Sequence, residues 1–302
     1  MLNISNIVDV IDEDKVRFNE PMKNHTTIKV GGNADVLVMP STKEDIINVL
    51  RFAKENNIPV TIIGNGSKLL VTDKGIRGIV IKISSKFSEY KIEDEYVTAC
   101  AGMSMPKLSR LVMKEGLSGL EFACGIPGVL GGGIRMNAGA YGSEISSVLV
   151  RTTYIDDQLN IKTLEHDEHN FSYRYSYFKD HPSFVIITAE FKLERKDISK
   201  IKEKMDQNSN SRKEKQPLEY PNAGSTFKRP DGFFVGTMIE ELGLKGYRVG
   251  DAEISTKHAG FIVNRGNATA ADVIAVMEYS KNKVYEKYGV KLESEIEIIG
   301  EI

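Results

Sequence analysis

The run "DVLVMP" (35–40) is short, apolar and bounded by polar residues, which predicts a strand. In "STKEDIINVLRFAKENN" (41–57) the period changes. Ile46, Ile47, Leu50 and Ala53 form one apolar helical stripe, and Ser41 with Glu44 makes a capping-box pattern. "IPVTII" (58–63) predicts the next strand, so this stretch reads as a β-α-β unit, and "RGIVIKI" (77–83) predicts another strand. A second α/β block begins near residue 87. "EYVTACAG" predicts a strand, and "SMPKLSRLVMKEG" a helix with Pro106 near its first turn and Gly116 past its end. "SVLVRTTYID" and "SFVIITAEFKL" (183–193) predict strands. At 196–222 the composition shifts. Ile198, Ile201 and Met205 start an amphipathic helix, and the chain then turns polar and proline-bearing, which predicts a boundary near 205. A third block runs from "NAGSTFKRP" through "FFVGTMIEELGLKG" and "HAGFIVN" to a helix at 270–288. The closing "VKLESEIEIIG" alternates, which predicts a strand with Glu293, Glu295 and Glu297 on one face.

Composition narrows the class. At 302 residues, 41% hydrophobic and 27% charged, the chain reads as a globular protein of two or three domains. A net charge of -2 argues against a nucleic-acid partner, and leaves room for a small anion bound by a local cluster of cations. Two cysteines, Cys100 and Cys124, are too few for a disulfide framework and fit a reducing compartment. "MLNISNIVDVIDEDK" carries no secretory pattern, and no apolar run approaches the ~18 residues of a membrane span. The expectation is a cytoplasmic protein without a membrane partner, a monomer by default. His166 and His169 stand as H-D-E-H with no third ligand nearby, so no metal site is expected.

Two glycine-rich segments carry candidate chemistry. "TIIGNGSKLL" follows a strand, and its small residues bring backbone N–H groups close enough to cradle a phosphate. It is neither a Walker A loop nor a G-x-G-x-x-G fingerprint, and it reads equally as a tight strand-to-loop turn. "GIPGVLGGGIRMNAGAYG" (125–142) is too glycine-rich for helix or strand over most of its length. It suits a large flat ligand lying against bare backbone. Ile126, Val129, Leu130 and Ile134 within it argue for burial rather than a flexible loop. Ser225 in "NAGSTFKRP" reads locally as a turn residue. The order A-G-S-T-F is not a nucleophile elbow.

The pair "GNGSKLLV" and "GIPGVLGGGIRMNAGAYG" resembles the bipartite flavin-binding domain of the vanillyl-alcohol-oxidase type. Five further segments narrow the resemblance to the UDP-N-acetylenolpyruvoylglucosamine reductases: "NHTTIKVGG" (24–32), "FSYRYSYFK" (171–179), "NAGSTFKRP", "DAEISTKHAGFIVN" (251–264) and "LESEIEIIG" (292–300). They are ordered and span nearly the whole chain. The short segment between Phe227 and Asp251 resembles the compact form of the family, which lacks an extra substrate-covering loop. The resemblance implies an α+β or α/β fold: a two-part FAD-binding module plus a smaller α+β substrate-binding domain. The expected division is residues 1–85 with the returning strand 289–302, then 86–204, then 205–288, with FAD between the first two.

What the resemblance implies chemically is reduction of an enolpyruvyl ether, UDP-N-acetyl-3-O-(1-carboxyvinyl)-glucosamine, to UDP-N-acetylmuramate. This is a step of peptidoglycan precursor synthesis, with FAD as cofactor and NADPH as donor. Ser225 matches the residue that protonates carbon, Arg174 the arginine that stabilises the developing negative charge, and Glu295 the glutamate that, if protonated, donates to it. Read without the resemblance, Arg174 suits a surface ion pair and Glu295 a solvated strand face. Flavin contacts are expected from Gly64, Asn65, Gly66, Ser67 and Lys68, and from Gly125, Ile126, Pro127, Gly128, Gly132, Asn137, Ala138 and Gly139. Lys215 resembles the lysine on the UDP diphosphate, with Lys228 and Arg229 as lesser candidates, and Tyr141 is expected near the substrate. His258 reads as a buried structural residue or a functional one. Position 68 is Lys where relatives of the wider fold carry an attachment histidine, so FAD is expected to be non-covalent. Two alternatives stay open: an FAD-dependent oxidase of a sugar or hydroxy acid, and a flavin and UDP-sugar binder without turnover.

Overall fold

A computed structural model describes residues 4–301. The strands are β1 (Val16–Pro21), β2 (Asn33–Val38), β3 (Val60–Ile63), β4 (Leu69–Val71), β5 (Ile76–Lys82), β6 (Tyr90–Glu93), β7 (Tyr96–Cys100), β8 (Leu117–Ser118), β9 (Gly139–Ala140) and β10 (Ser143–Glu144). They continue as β11 (Leu149–Ile155), β12 (Ile161–Glu165), β13 (Val185–Lys192), β14 (Glu194–Arg195), β15 (Asn222–Ser225), β16 (Arg248–Val249), β17 (Ala252–Ile254), β18 (Phe261–Asn264) and β19 (Glu297–Ile299). The helices are α1 (Lys43–Glu55), α2 (Met105–Lys114), α3 (Leu130–Arg135), α4 (Ile198–Lys215), α5 (Val235–Glu241) and α6 (Ala270–Tyr288). No helix among the described residues is long and apolar enough to cross a membrane.

Helix α1 begins one residue later than its sequence pattern suggests. Thr42 is the N-cap, its hydroxyl accepting from the Asp45 N–H while the Asp45 carboxylate accepts from Thr42 N–H. Ser41 instead donates its own N–H and hydroxyl to that carboxylate. The expected β-α-β unit is interrupted: the sheet order is β1-β2-β5-β3, so β5 lies between the two strands that α1 joins. β3 and β5 run parallel.

By its contacts the chain divides into two compact units, at other places than the three-part division expected from sequence. One comprises the segment ending at Phe18, Val36–Asn65 and Gly78–Arg212. The other comprises Asn19–Asp35, Gly66–Arg77 and the chain from Lys213 onward. Each has its own core. In the first, the five-stranded sheet β12-β11-β13-β7-β6 is packed with fully buried Phe178, Phe191 and Met103. In the second, the sheet β15-β18-β17-β16 and helices α5 and α6 bury Ala252, Val273 and Val276. There too β19 pairs parallel with β4, directly after the glycine turn.

Three sequence expectations change. Helix α4 runs on through the polar stretch to Lys215, because Lys, Glu, Gln and Arg are good helix formers that need no burial. Its middle is fixed at Asn208, whose amide donates to the Glu121 carbonyl. The glycine-rich segment is not all loop: Leu130–Arg135 is helical, with Leu130 and Ile134 buried. The final strand is short, and its acidic residues do not share one environment. The Glu293 side chain is 73% exposed and that of Glu295 is 5% exposed.

Candidate functional site

In the first unit Gly64 and Asn65 meet the second glycine segment. A Cβ on Gly64 would lie 2.6 Å from Val129 Cγ2, so only glycine permits this approach. Asn65 Nδ2 donates to the Pro127 carbonyl at 3.0 Å. Along Gly64 and Asn65 the backbone N–H groups have no protein acceptor among the described residues, which is the arrangement an anion requires. The three glycines of α3 differ from one another. A Cβ on Gly131 would lie 3.1 Å from Ala101 Cβ, and one on Gly133 would lie 2.6 Å from Met105 Sδ. One on Gly132 would meet nothing within 4 Å. Bare backbone facing open space, beside a turn of uncommitted donors, fits a flat cofactor with a diphosphate.

Asn137 is fully buried, and its side chain is used inside the protein. Its amide donates to Glu144 Oε1 and the Ser172 carbonyl, and its oxygen accepts from Ser146 N–H. Its left-handed backbone, φ 41°, helps turn the chain toward Ala138 and Gly139. β9 and β10 are joined through Tyr141 and Gly142, both at positive φ (56° and 84°). A two-residue turn of this kind favours Asn-Gly, so an aromatic residue there is held at a conformational cost. Tyr141 Oη donates to the Asn208 carbonyl at 2.8 Å. Burial pushes the Tyr141 phenol up, with the Arg212 cation opposing.

Arg174 also has a left-handed backbone, φ 59°, in the tight turn where Ser172 and Tyr175 exchange backbone bonds. Its guanidinium donates to the Gly139 carbonyl at 3.2 Å and lies 4.9 Å from the Tyr173 ring centre. The sequence reading missed Arg212. It packs over Gly125, and no hydrogen-bond or carboxylate partner reaches its guanidinium among the described residues. Burial pushes it below its ordinary value. In sequence it is one cation in a polar helix, and nothing there marks it. Cys124, beside it, lies 3.5 Å from Ser209 Oγ.

The second unit gathers five of the motif segments. Thr27 donates its hydroxyl to the Asn222 carbonyl at 2.7 Å and its N–H to Gly66. Asn264 donates to the Ile28 carbonyl. Glu295 N–H donates to Thr226, and Glu297 N–H to Lys68. At their junction stands Ser225, half-buried at the end of β15, its Oγ without a protein partner among the described residues. Lys68, expected at the flavin, uses its ammonium within this unit: Nζ donates to the Ser225 carbonyl at 2.8 Å and pairs with Glu295 Oε1 at 2.8 Å. Glu295 therefore sits in an ion pair. Gly224 makes room for this: φ is 72°, and a Cβ there would lie 3.1 Å from Lys68 Nζ.

Lys215 is exposed at the end of α4. Lys228 forms an exposed ion pair with Glu293 at 3.0 Å, and Arg229 stacks on Phe234. His258 Nδ1 accepts from Gly260 N–H, which places its hydrogen on Nε2, and burial pushes the imidazole below its ordinary range. His166 and His169 belong to one short turn. His169 is fully buried between Thr152 and the Glu165 carbonyl.

Two family descriptions match the chain: "FAD binding domain" over residues 34–162 and "UDP-N-acetylenolpyruvoylglucosamine reductase, C-terminal domain" over 216–299. The UDP-N-acetylenolpyruvoylglucosamine reductase of Clostridium tetani is 47% identical over 298 residues, covering 99% of this chain and 96% of its own. That of Caldanaerobacter subterraneus subsp. tengcongensis is 46% identical over 298 residues, covering 99% and 98%. The crystal structure of the Thermus caldophilus reductase matches with a TM-score of 0.80 at 35% identity, covering 92% of this chain and 97% of that one.

Proposed function

The chain belongs to the UDP-N-acetylenolpyruvoylglucosamine reductase family, a family of oxidoreductases, and carries its FAD-binding domain; from that premise we propose that it reduces the enolpyruvyl ether of UDP-N-acetylglucosamine to UDP-N-acetylmuramate, with NADPH as donor. The glycine segments would hold FAD non-covalently, and FAD bound there, once reduced by NADPH, would supply the hydride for the terminal vinyl carbon. The protein must then stabilise negative charge on the adjacent carbon and its carboxylate, and deliver one proton.

Ser225 is assigned the proton. The observation that carries this reading is its half-buried side chain, whose hydroxyl no group among the described residues uses, on the residue whose carbonyl accepts from Lys68. An alcohol is a weak acid, but an enolate-like intermediate is a strong base, so a positioned neutral hydroxyl suffices. A further carboxylic acid would repel the substrate's own carboxylate once ionised. Arg174 is assigned the developing charge. A non-glycine residue in the left-handed region costs about 1–2 kcal/mol. Such strain is kept where it aims a side chain. Glu295, paired with Lys68, is assigned to hold Ser225 and the substrate. Lys215 is assigned the diphosphate, and Tyr141 a contact with the sugar or the enolpyruvyl group.

The test separates the half-reactions by anaerobic stopped flow at the flavin band. Ser225→Ala should be bleached by NADPH at close to the wild-type rate. Its reoxidation by the enolpyruvyl substrate should fall roughly 10²–10⁴-fold, the usual worth of a positioned proton donor. Cysteine at 225 should recover part of the rate. Unchanged reoxidation in the alanine variant would return Ser225 to a turn residue. Oxygen consumption with a sugar or hydroxy acid, and none with the enolpyruvyl ether, would favour an oxidase.

A further inference from the structure

We propose that Lys68 is a positioning residue for proton delivery, acting through Glu295 and the Ser225 main chain, rather than a flavin contact. The proposal rests on the function given above and extends it to a residue outside the reactive trio. Three observations carry it. The ammonium lies 2.8 Å from both the Ser225 carbonyl and Glu295 Oε1. The Glu295 side chain is 5% exposed, so its charge is poorly screened by water. Lys68 is itself pinned, its carbonyl accepting from Glu297 N–H at 2.8 Å, and the positive φ of Gly224 keeps the ammonium's space clear.

The chemistry gives this arrangement a purpose. Negative charge builds on the substrate next to Ser225 as hydride arrives. A bare carboxylate at position 295 would oppose that charge through a weakly screening medium. Paired with Lys68, Glu295 keeps its hydrogen-bonding capacity and loses most of its repulsion. The same ammonium fixes the carbonyl of the residue that gives the proton. Lys68 thus balances charge and sets geometry, and touches no reacting atom.

The experiment is a double-mutant cycle on the full-length holoenzyme, with Lys68→Met, Glu295→Gln and both together. FAD affinity and NADPH bleaching should stay within about twofold of wild type in Lys68→Met, while reoxidation by the enolpyruvyl substrate falls roughly 10–100-fold, as for loss of an outer partner that orients a functional group. In the Glu295→Gln background the same Lys68→Met change should cost no more than about threefold, because there is no carboxylate left to neutralise. Lys68→Arg should recover part of the lost rate. Loss of FAD, or an equal fall in both half-reactions, would return Lys68 to the cofactor loop. An undiminished effect in the Glu295→Gln background would also overturn the proposal. Calorimetry of the four apoproteins is independent of the reaction. Lys68→Met should lower the melting temperature by more in the wild-type background than in Glu295→Gln, since it removes a cation from beside a buried carboxylate only in the former. Equal shifts would refute the pairing. Failure of the wild type to be reoxidised by the substrate would overturn the proposed function, leaving calorimetry to decide whether Lys68 is the counter-ion of Glu295.

Discussion

Replacing Gly132 by alanine should stabilise the apoprotein and weaken FAD binding. Gly132 is an exposed interior residue of α3, and a Cβ there meets no protein atom within 4 Å. Glycine inside a helix is worse than alanine by about 0.8–1 kcal/mol, so the variant should gain roughly that much. For a unit of this size the gain corresponds to about 2–4 °C in melting temperature. If the flavin lies on this bare backbone, the new methyl intrudes on it. Overpacking costs about 1–3 kcal/mol. That is roughly a 5- to 150-fold loss of affinity. Thermal melts of the apoprotein give the first quantity, and flavin-fluorescence quenching gives the second. Gly133→Ala is the control: its Cβ would lie 2.6 Å from Met105 Sδ, so it should lower stability outright. If Gly132→Ala bound FAD as tightly as wild type, the open face of α3 would not be the flavin's place.

Acid precipitation should release all flavin into the supernatant, since Lys68 occupies the attachment position; colour in the washed pellet would contradict this. Lys215→Ala should raise the Michaelis constant for the UDP substrate far more than it lowers kcat, because a diphosphate contact is the same in ground and transition states. A fall in kcat at constant Michaelis constant would move Lys215 into the catalytic group. Asp156 is held down to about 2, chiefly by Lys162 and also by the N–H groups of Asn160 and Gln158. A depressed carboxyl stabilises the fold above its unfolded value of about 3.9 and loses that contribution as pH falls toward 2. Melting temperature against pH should therefore fall more steeply over this window in wild type than in Asp156→Asn.

Much of the fold was legible because its elements repeat a period. Helix α1 and the 270–288 helix needed only spacing, although α1 starts later than its pattern suggests and buries Val49 and Phe52 with Ile46 and Ala53 of the expected stripe. Order within a sheet was not legible, since nothing in "RGIVIKI" says that it slots between two strands joined by a helix. The alternation of "LESEIEIIG" misled for a related reason. Period two predicts faces only along one continuous ladder, and here Glu297–Ile299 pairs with β4 while the stretch before it bridges Phe227 through Ser294, leaving Glu293 and Glu295 in opposite surroundings. At the site, glycines were legible through what they lack. Lys68 and Arg212 were not, because a cation's role depends on where its long flexible side chain ends, which no local pattern records.

The second unit is stitched from three stretches far apart in the chain. Hydrogen bonds within it join residues separated by 195 (Thr27 to Asn222), 197 (Ala270 to Asp73) and 236 (Asn264 to Ile28) positions. Contacts so distant in sequence are slow to form, because the entropy of loop closure is spent before they reward it. Much of the first unit, by contrast, is the continuous stretch Gly78–Arg212, with its sheet pairing β6 to β7 and β11 to β12 over short connections. Recovery from denaturant should therefore be staggered, with secondary structure returning early. Ser225, Lys68 and Glu295 come together only in the late-knitting part, so the activity proposed for them should mark the end of maturation rather than its beginning.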